Sequence, residues 1–467
     1  MENSTSIIQS TFAFEEKTKP ARSNELKKVL GVAFGIALVV GNVIGAGILR
    51  NPGTVAKYLQ NYWLIIACWI FGGIYVLIAM GSYAELATML PKAGGGYHYV
   101  KRAFGNYAGF ISGWFQYLVS AIAPAYYSIL IGEYFVLLFP SLAGYEKSIA
   151  IAILTAFTLY HLTGVKNGSI MQQVTCILKV LCFATLIITC FFFSGIKINI
   201  GGTTSLNTII NGTIFLGIFK SLELIQGTYG GWDNLAVFAE EDKNPGKNIP
   251  RSFFTGAIIV MLIYILINMA FLYVLPMSTL ANSKLAAADA AKAVFGSSGS
   301  IIVTVIALCS IIGAFNGHIM SILRTLFGLS RDGFFIAKGT YVNKKGTPVT
   351  ALIFSAVLNL ILIIIGSFNI LYALGGFMVL IVPALVYASL IKLRIKEPGL
   401  PRPYRAWGYP YTPIAMIFIS VTLFIGFAIG DRSNFFVIAG ITILSYPIFL
   451  LIRKRKMKVS QNDVIND

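Results

Sequence analysis

The residues Gly41-Asn42-Val43-Ile44-Gly45-Ala46-Gly47-Ile48 place three glycines in the middle of the first long apolar run of this chain. The chemistry open to such a stretch is that of the bare backbone. A membrane helix loosened at its centre exposes N–H and C=O groups that hydrocarbon cannot satisfy, so the break is tolerable only against a polar cavity or a ligand. A second interruption, Gly227-Thr228-Tyr229-Gly230-Gly231-Trp232, falls in the sixth apolar run. At each break one half-helix ends in free carbonyls and the next begins with free amides bearing a partial positive charge. These poles suit a zwitterion, carboxylate on the amides and ammonium on the carbonyls. Glycines also permit close helix packing, but two interruptions five spans apart match the spacing of inverted structural repeats.

Lys179 is the other residue with chemistry to offer. It lies near the middle of the fifth apolar run, where an ionisable group costs about 2.5–3.5 kcal/mol on insertion scales, so it is expected to face the protein interior and to have a role. A fixed structural cation, a proton switch and snorkelling to an interface are the three readings. Lys220 and Glu223 stand three apart on the sixth span and are expected to neutralise each other. Glu85, Asp233, Glu240, Glu241 and Arg251 fall at one set of span ends, where a charge network could gate access. Asn42, Ser310 and Asn316 could line a cavity or bond across helices, and His318 reads as an interhelical hydrogen bonder.

Several functions are disfavoured by what surrounds these residues. No serine or cysteine nucleophile accompanies a base, so an enzyme is not indicated. The Gly94-Gly95-Gly96 run lacks the lysine and hydroxyl residue of a phosphate-cradling loop, which removes ATP as a driver. Cys68, Cys176, Cys182, Cys190 and Cys309 lie in apolar runs without metal-ligand spacing, so neither a disulfide framework nor a metal site is expected, and no cofactor is implied. The first 29 residues lack the apolar core of a cleavable signal.

The elements that must position these groups follow from composition. Of 467 residues 57% are hydrophobic and 12% charged, with a mean hydropathy of +0.77, against roughly 25% charged in a soluble domain. The chain reads as an all-α polytopic membrane protein. With about 20 apolar residues needed per crossing, spans are expected near 30–56, 63–90, 105–139, 148–164, 169–195, 211–240, 252–276, 299–329, 349–366, 369–393, 411–430 and 433–452. The net charge of +18 is distributed in connectors and tails, which fits positive-inside topology and not a nucleic-acid groove. One side collects Lys17, Lys19, Arg22, Lys27, Lys28, most connector arginines and lysines and the tail from Arg453 to Lys458; the other has Arg50, Lys57, Lys147, Lys197, Lys284, Lys292 and Arg432. Both termini are therefore expected in the cytoplasm.

Five segments carry a resemblance to the amino acid, polyamine and organocation superfamily, and within it to the bacterial L-type amino acid transporters. They are Val40 to Ile48; Tyr83-Ala84-Glu85-Leu86 through Gly95; Tyr229 to Asn234 with Glu240-Glu241 and Lys243 to Arg251; Gly313-Ala314-Phe315-Asn316-Gly317 with Arg324 and Ser330 to Gly333; and Arg402-Pro403-Tyr404-Arg405-Ala406-Trp407-Gly408-Tyr409-Pro410. The resemblance implies a LeuT-type fold. Its core would be two inverted five-helix repeats, 30–195 and 211–393, followed by two further helices over 394–452, with tails at 1–29 and 453–467. It implies that Gly45, Ala46 and Gly47 hold a substrate carboxylate, with Ile44 and the carbonyls from Gly227 through Tyr229 on the amine and Gly230 beside them. It also makes Lys179 a tethered ammonium where sodium-coupled cousins keep a cation, and hence implies sodium-independent transport. Two positions depart from the family pattern. Ala46 replaces a common serine, and Gly227 stands where L-type relatives often carry an aromatic gate, for which Tyr229 is the substitute.

The expected function is sodium-independent transport of amino acids, neutral L-amino acids before cationic ones or polyamines, by exchange or proton symport. The cationic reading gains if Glu223 reaches the pocket. A transport-dead sensor is disfavoured because the tails are too short for a folded signalling domain. The expected location is a bacterial inner membrane, and a partner subunit is not implied.

Overall fold

The computed structural model describes residues 26–192, 212–366, 368–430 and 432–465. The expected N-terminal tail before residue 26 and the connector holding Lys197 lie outside the described residues, as do the side chains of the C-terminal tail. The elements are α1 (Val32–Val43), α2 (Gly47–Leu59), α3 (Tyr62–Met89), α4 (Gly96–Phe104), α5 (Asn106–Leu138), α6 (Glu146–His161), α7 (Val165–Phe192), α8 (Gly212–Thr228), a 3-10 helix over Trp232–Glu241, α9 (Pro245–Val274), α10 (Met277–Asn282), α11 (Ala286–Phe295), α12 (Gly299–Arg331), α13 (Val349–Ile365), α14 (Phe368–Lys396), α15 (Tyr411–Gly430) and α16 (Arg432–Ile465). Among the described residues six helical stretches are long and apolar enough to cross a bilayer, and α1 with α2, bent by 45°, makes a seventh. The chain is an integral membrane protein built of helices.

The side chains of α7 show what solvent it was selected for. Ile170, Val174, Ile177, Leu178, Leu181 and Ile188 are exposed, whereas Gln172, Cys176 and Lys179 are buried. Polar groups inward and apolar groups outward is the order a hydrocarbon solvent imposes. Element ends follow local rules. The Asn61 side chain accepts from Leu64 N at 3.0 Å to start α3. Asp242 Oδ1 accepts from Asn244 N and Asn248 Nδ2 at 2.7 and 2.8 Å, just ahead of Pro245 at the first position of α9.

Packing is organised around a few pairs. α3 lies along α9, α5 along α12 and α14, α7 along α12, and α1 fits between α7 and α9, while α2 packs on α8. Three short helices lie outside the expected spans. The nine-residue α4 is set off by Gly95 and Gly105, both at positive φ, and α10 and α11 fill the passage from α9 to α12. All are too short to produce a spanning-length apolar signal.

Candidate functional site

The first apolar run does break where its glycines predict. α1 ends at Val43, Ile44 turns extended (φ −74°, ψ 93°) and α2 starts at Gly47. Gly45 and Ala46 donate no backbone hydrogen bond among the described residues, and with Gly47 they form the amide end of α2. Ala46 and Gly47 are partly exposed in the interior of the bundle, and beyond Gly45 the nearest side-chain atom to an added Cβ would be Tyr127 Oη at 3.8 Å. Room is thus left beside Gly45, whereas a Cβ on Gly47 would meet Thr228 Cγ2 at 3.2 Å.

The sixth run breaks as well, slightly later than its glycine cluster begins. α8 runs on through Gly227 and Thr228, and Tyr229, Gly230 and Gly231 form the turn into the 3-10 helix. Gly231 adopts φ +99°, where an added Cβ would stand 3.2 Å from Asn42 O of the first break. The breaks thus touch. Asn51 Nδ2 donates to Thr228 Oγ1 at 2.7 Å, and Gly227 is exposed while Gly230 is partly so. Tyr229 is buried, its hydroxyl donating to Trp69 O at 3.2 Å and its ring 4.8 Å from that of Tyr264.

Tyr264 of α9 joins the two breaks. Its hydroxyl lies 2.8 Å from Val43 O and 3.0 Å from Thr228 O, so one proton serves the carbonyl ends of both half-helices. Nothing in its sequence context singles it out among 23 tyrosines. Its only signal is a hydroxyl halfway along an apolar span.

Lys179 is fully buried and reaches the carbonyl end of α1, with Nζ 2.6 Å from Gly41 O and 2.5 Å from Ile44 O. The ammonium sits on the negative pole of that half-helix. Ser310 Oγ donates to the same Ile44 O at 2.9 Å, so both lone pairs of that carbonyl are taken. Gly227 O accepts from Gly230 N at 3.2 Å and Thr228 O from Tyr264, which leaves each a lone pair. Asn316 Nδ2 donates to Gln172 Oε1 at 2.7 Å and Gly168 O at 3.1 Å, and Gln172 Nε2 donates to Ala37 O at 3.2 Å, a relay from α12 through α7 to α1. Asn42 is buried against Gly317, both its side-chain polar atoms without a hydrogen-bond partner. His318 Nδ1 lies 2.9 Å from Ala314 O of its own helix.

The face where α3 ends and α9 begins is closed by ion pairs. Glu241 is held by Arg324 (2.6 and 3.0 Å), Glu240 by Arg331 (2.8 Å) and Ala93 N (2.8 Å), and Glu85 by Arg394 and Arg402. Arg251 is exposed. Lys220 stands over the Tyr58 ring at 5.7 Å, one turn from the partly exposed Glu223. A crevice of about 220 Å³ lined by Phe71, Tyr75, Phe219, Leu222, Phe418 and Leu423 contains none of the residues at the breaks. Among the described residues no His, Cys, Asp and Glu group could hold a metal.

Comparison with known proteins places this arrangement. The amino acid permease family matches residues 31–451. The serine/threonine exchanger SteT of Bacillus subtilis is 30% identical over 441 residues, covering 93% of this chain and 98% of that protein. The mouse b(0,+)-type amino acid transporter 1 is 28% identical over 93% of this chain and 90% of its own length, and the human large neutral amino acids transporter small subunit 2 is 28% identical over 81% and 72%. With two touching helix breaks and a match along nearly its whole length, the chain belongs to the amino acid permease family.

Proposed function

We propose that this permease is a sodium-independent secondary transporter of neutral L-amino acids, working by alternating access as an exchanger or proton symporter. The carrying observation is the contact of the two breaks, with an ammonium already seated on the carbonyl end of the first. The amides of Gly45, Ala46 and Gly47 receive the substrate carboxylate. The ammonium goes first to the carbonyls of Gly227 and Thr228, which keep a lone pair, and meets Ile44 O only in competition with Lys179 and Ser310. Gly230 borders the substrate, Asn42 and Asn316 support the space beneath the first break, and Tyr229 gates only if its hydroxyl leaves Trp69. Lys179 replaces a coupling cation by a tethered one.

The proposed architecture is the LeuT type, twelve spans in two inverted repeats, 30–195 and 211–393, plus two. Exchange of the repeats carries α3 onto α9, α5 onto α12 and α7 onto α14. Packing supports it: α3 meets α9, α5 meets α12, and the contact of α7 with α12 is matched by that of α14 with α5. The short helices α4 and α10–α11 then hold equivalent places. The charge asymmetry of the connectors supports cytoplasmic termini, in a bacterial inner membrane. The names of the relatives support neutral substrates, serine and threonine among them.

Counterflow in liposomes with a panel of labelled amino acids, in sodium and in choline, tests the proposal. Uptake of neutral amino acids equal in both media is expected. Uptake that requires sodium would overturn the role given to Lys179, and uptake confined to cationic substrates would overturn the substrate class.

A further inference from the structure

The connector between α14 and α15 is folded onto the ends of two other helices, and one buried carboxylate organises it. Glu85, fully buried near the end of α3, accepts from Arg394 Nε at 2.8 Å, Arg394 Nη2 at 2.5 Å and Ala406 N at 2.7 Å, and pairs with Arg402 Nε at 3.2 Å. Arg402 spends its other nitrogens on the end of α14, donating to Leu393 O at 3.2 Å, Glu397 O at 2.9 Å, Pro398 O at 3.0 Å and Leu400 O at 2.9 Å. Arg394 also stacks on Tyr409, 4.0 Å from its centroid. The connector reaches α9 too. Tyr404 lies 5.7 Å, ring to ring, from Phe254, Pro403 abuts Gly246, and Tyr404 and Trp407 lie over Gly81 of α3.

We infer that residues 397–410 are a strap that ties α3 and α9 to α14 and holds this face of the protein shut, with Glu85 as its anchoring and positioning residue. The inference rests on the alternating-access reading, taken as motion of the break-bearing α1 and α8, with α3 and α9 packed on them, against α5, α12 and α14. The strap crosses that boundary. So do the other two carboxylates of this face, Glu240 and Glu241, which lie in the 3-10 helix and bind arginines of α12. Glu85, Glu240 and Glu241 stand on α3 and the 3-10 helix and their partners Arg324, Arg331 and Arg394 on α12 and α14, so opening must separate these charges, while Glu397 of the strap itself pairs with Arg102 of α4. Glu85 differs from the other two in that its bonds fix a connector and not only a neighbouring helix. A carboxylate with three hydrogen-bond donors and a second guanidinium paired beside it cannot release the strap stepwise without leaving two guanidinium groups, one of them 5% exposed, facing each other. The strap therefore holds or lets go as a unit, and substrate turnover passes through its release.

The test places a reporter under the strapped helices. Ala93, just after α3, is fully buried in a cluster with Phe327 of α12 and Val342, across the boundary that opening must part, so a cysteine there is reached by a thiol reagent only when this face opens. Glu85→Gln keeps the shape of the side chain but turns an amide NH₂ toward a guanidinium. In the Ala93→Cys background, Glu85→Gln should raise the labelling rate at least fivefold, lower the maximal transport rate, and leave the dissociation constant for substrate at the breaks within twofold. Equal labelling with and without Glu85→Gln in folded protein would overturn the inference. If Glu85→Gln does not purify as a single species, Arg394→Lys, which keeps the charge and loses the fork, is read the same way: faster labelling supports the strap and unchanged labelling overturns it. Labelling needs no substrate, so it reports on the strap even if the counterflow panel refutes the proposed substrate class.

Discussion

Lys179→Met isolates the tethered ammonium. Methionine keeps most of the apolar stem and removes the charged head, so packing along α7 survives while two hydrogen bonds are lost, to Gly41 O at 2.6 Å and Ile44 O at 2.5 Å. Ile44 O retains Ser310 as a donor and Gly41 O retains no side-chain donor among the described residues. A hydrogen bond from a charged donor contributes about 1.5–3 kcal/mol and an orphaned buried acceptor costs about 1–3 kcal/mol. Taking about 3 kcal/mol as the net loss at the carbonyl end of α1, the break should hold its working geometry roughly a hundredfold less well. Transport in proteoliposomes, measured as exchange of a neutral amino acid in choline medium, should fall by about that factor, with some binding remaining. Sodium should not be needed by the unsubstituted protein. Undiminished exchange by the Lys179→Met protein at every pH tested would refute both the structural-cation and the coupling roles.

Three other substitutions address the breaks. Gly45→Val has room for its Cβ beside Tyr127 and should fold, yet its branches fill the approach to the amides, so substrate binding by calorimetry or scintillation proximity should be abolished; normal affinity would contradict the carboxylate assignment. Tyr264→Phe removes the one proton shared by Val43 O and Thr228 O and should cost about 0.5–1.5 kcal/mol, seen as a threefold to tenfold loss of exchange and a lower melting temperature in detergent. Gly317→Ala would bring a Cβ within 2.0 Å of Asn42 Oδ1 and should be strongly impaired, whereas Asn42→Ala combined with it should recover most of the melting temperature; simple additivity of the two would argue against their contact.

Much of this was readable in the chain because it concerns groups a bilayer cannot tolerate by accident. Glycines at 45, 47, 230 and 231 and a lysine at 179 are costly in hydrocarbon unless something receives them, and the structure provides contact between the breaks and two carbonyls for the lysine. What stayed hidden was partner choice. Position along the chain groups Glu85, Glu240 and Glu241 at one set of span ends, yet their partners are Arg324, Arg331, Arg394 and Arg402, not Arg251, because pairing depends on which helices lie side by side. Tyr264 and Gln172 were invisible for the same reason: a single polar group on an apolar helix acquires meaning only from the carbonyl opposite. Periodicity was equally silent on α4, α10 and α11, whose lengths fall below any spanning window.

The inward-facing polarity of α7 bears on how the protein is made. Before its neighbours assemble, a helix carrying an ammonium at mid-depth is poorly held by lipid, at a cost of about 2.5–3.5 kcal/mol. The acceptors for that ammonium belong to α1, and Ile44 precedes Lys179 by 135 positions. A ribosome therefore delivers the carbonyls first and the lysine afterwards, and the loosened first helix serves as a docking berth during insertion before it serves any cargo. A substitution that moves these backbone oxygens should therefore disturb the seating of α7 during insertion as well as the geometry of the first break.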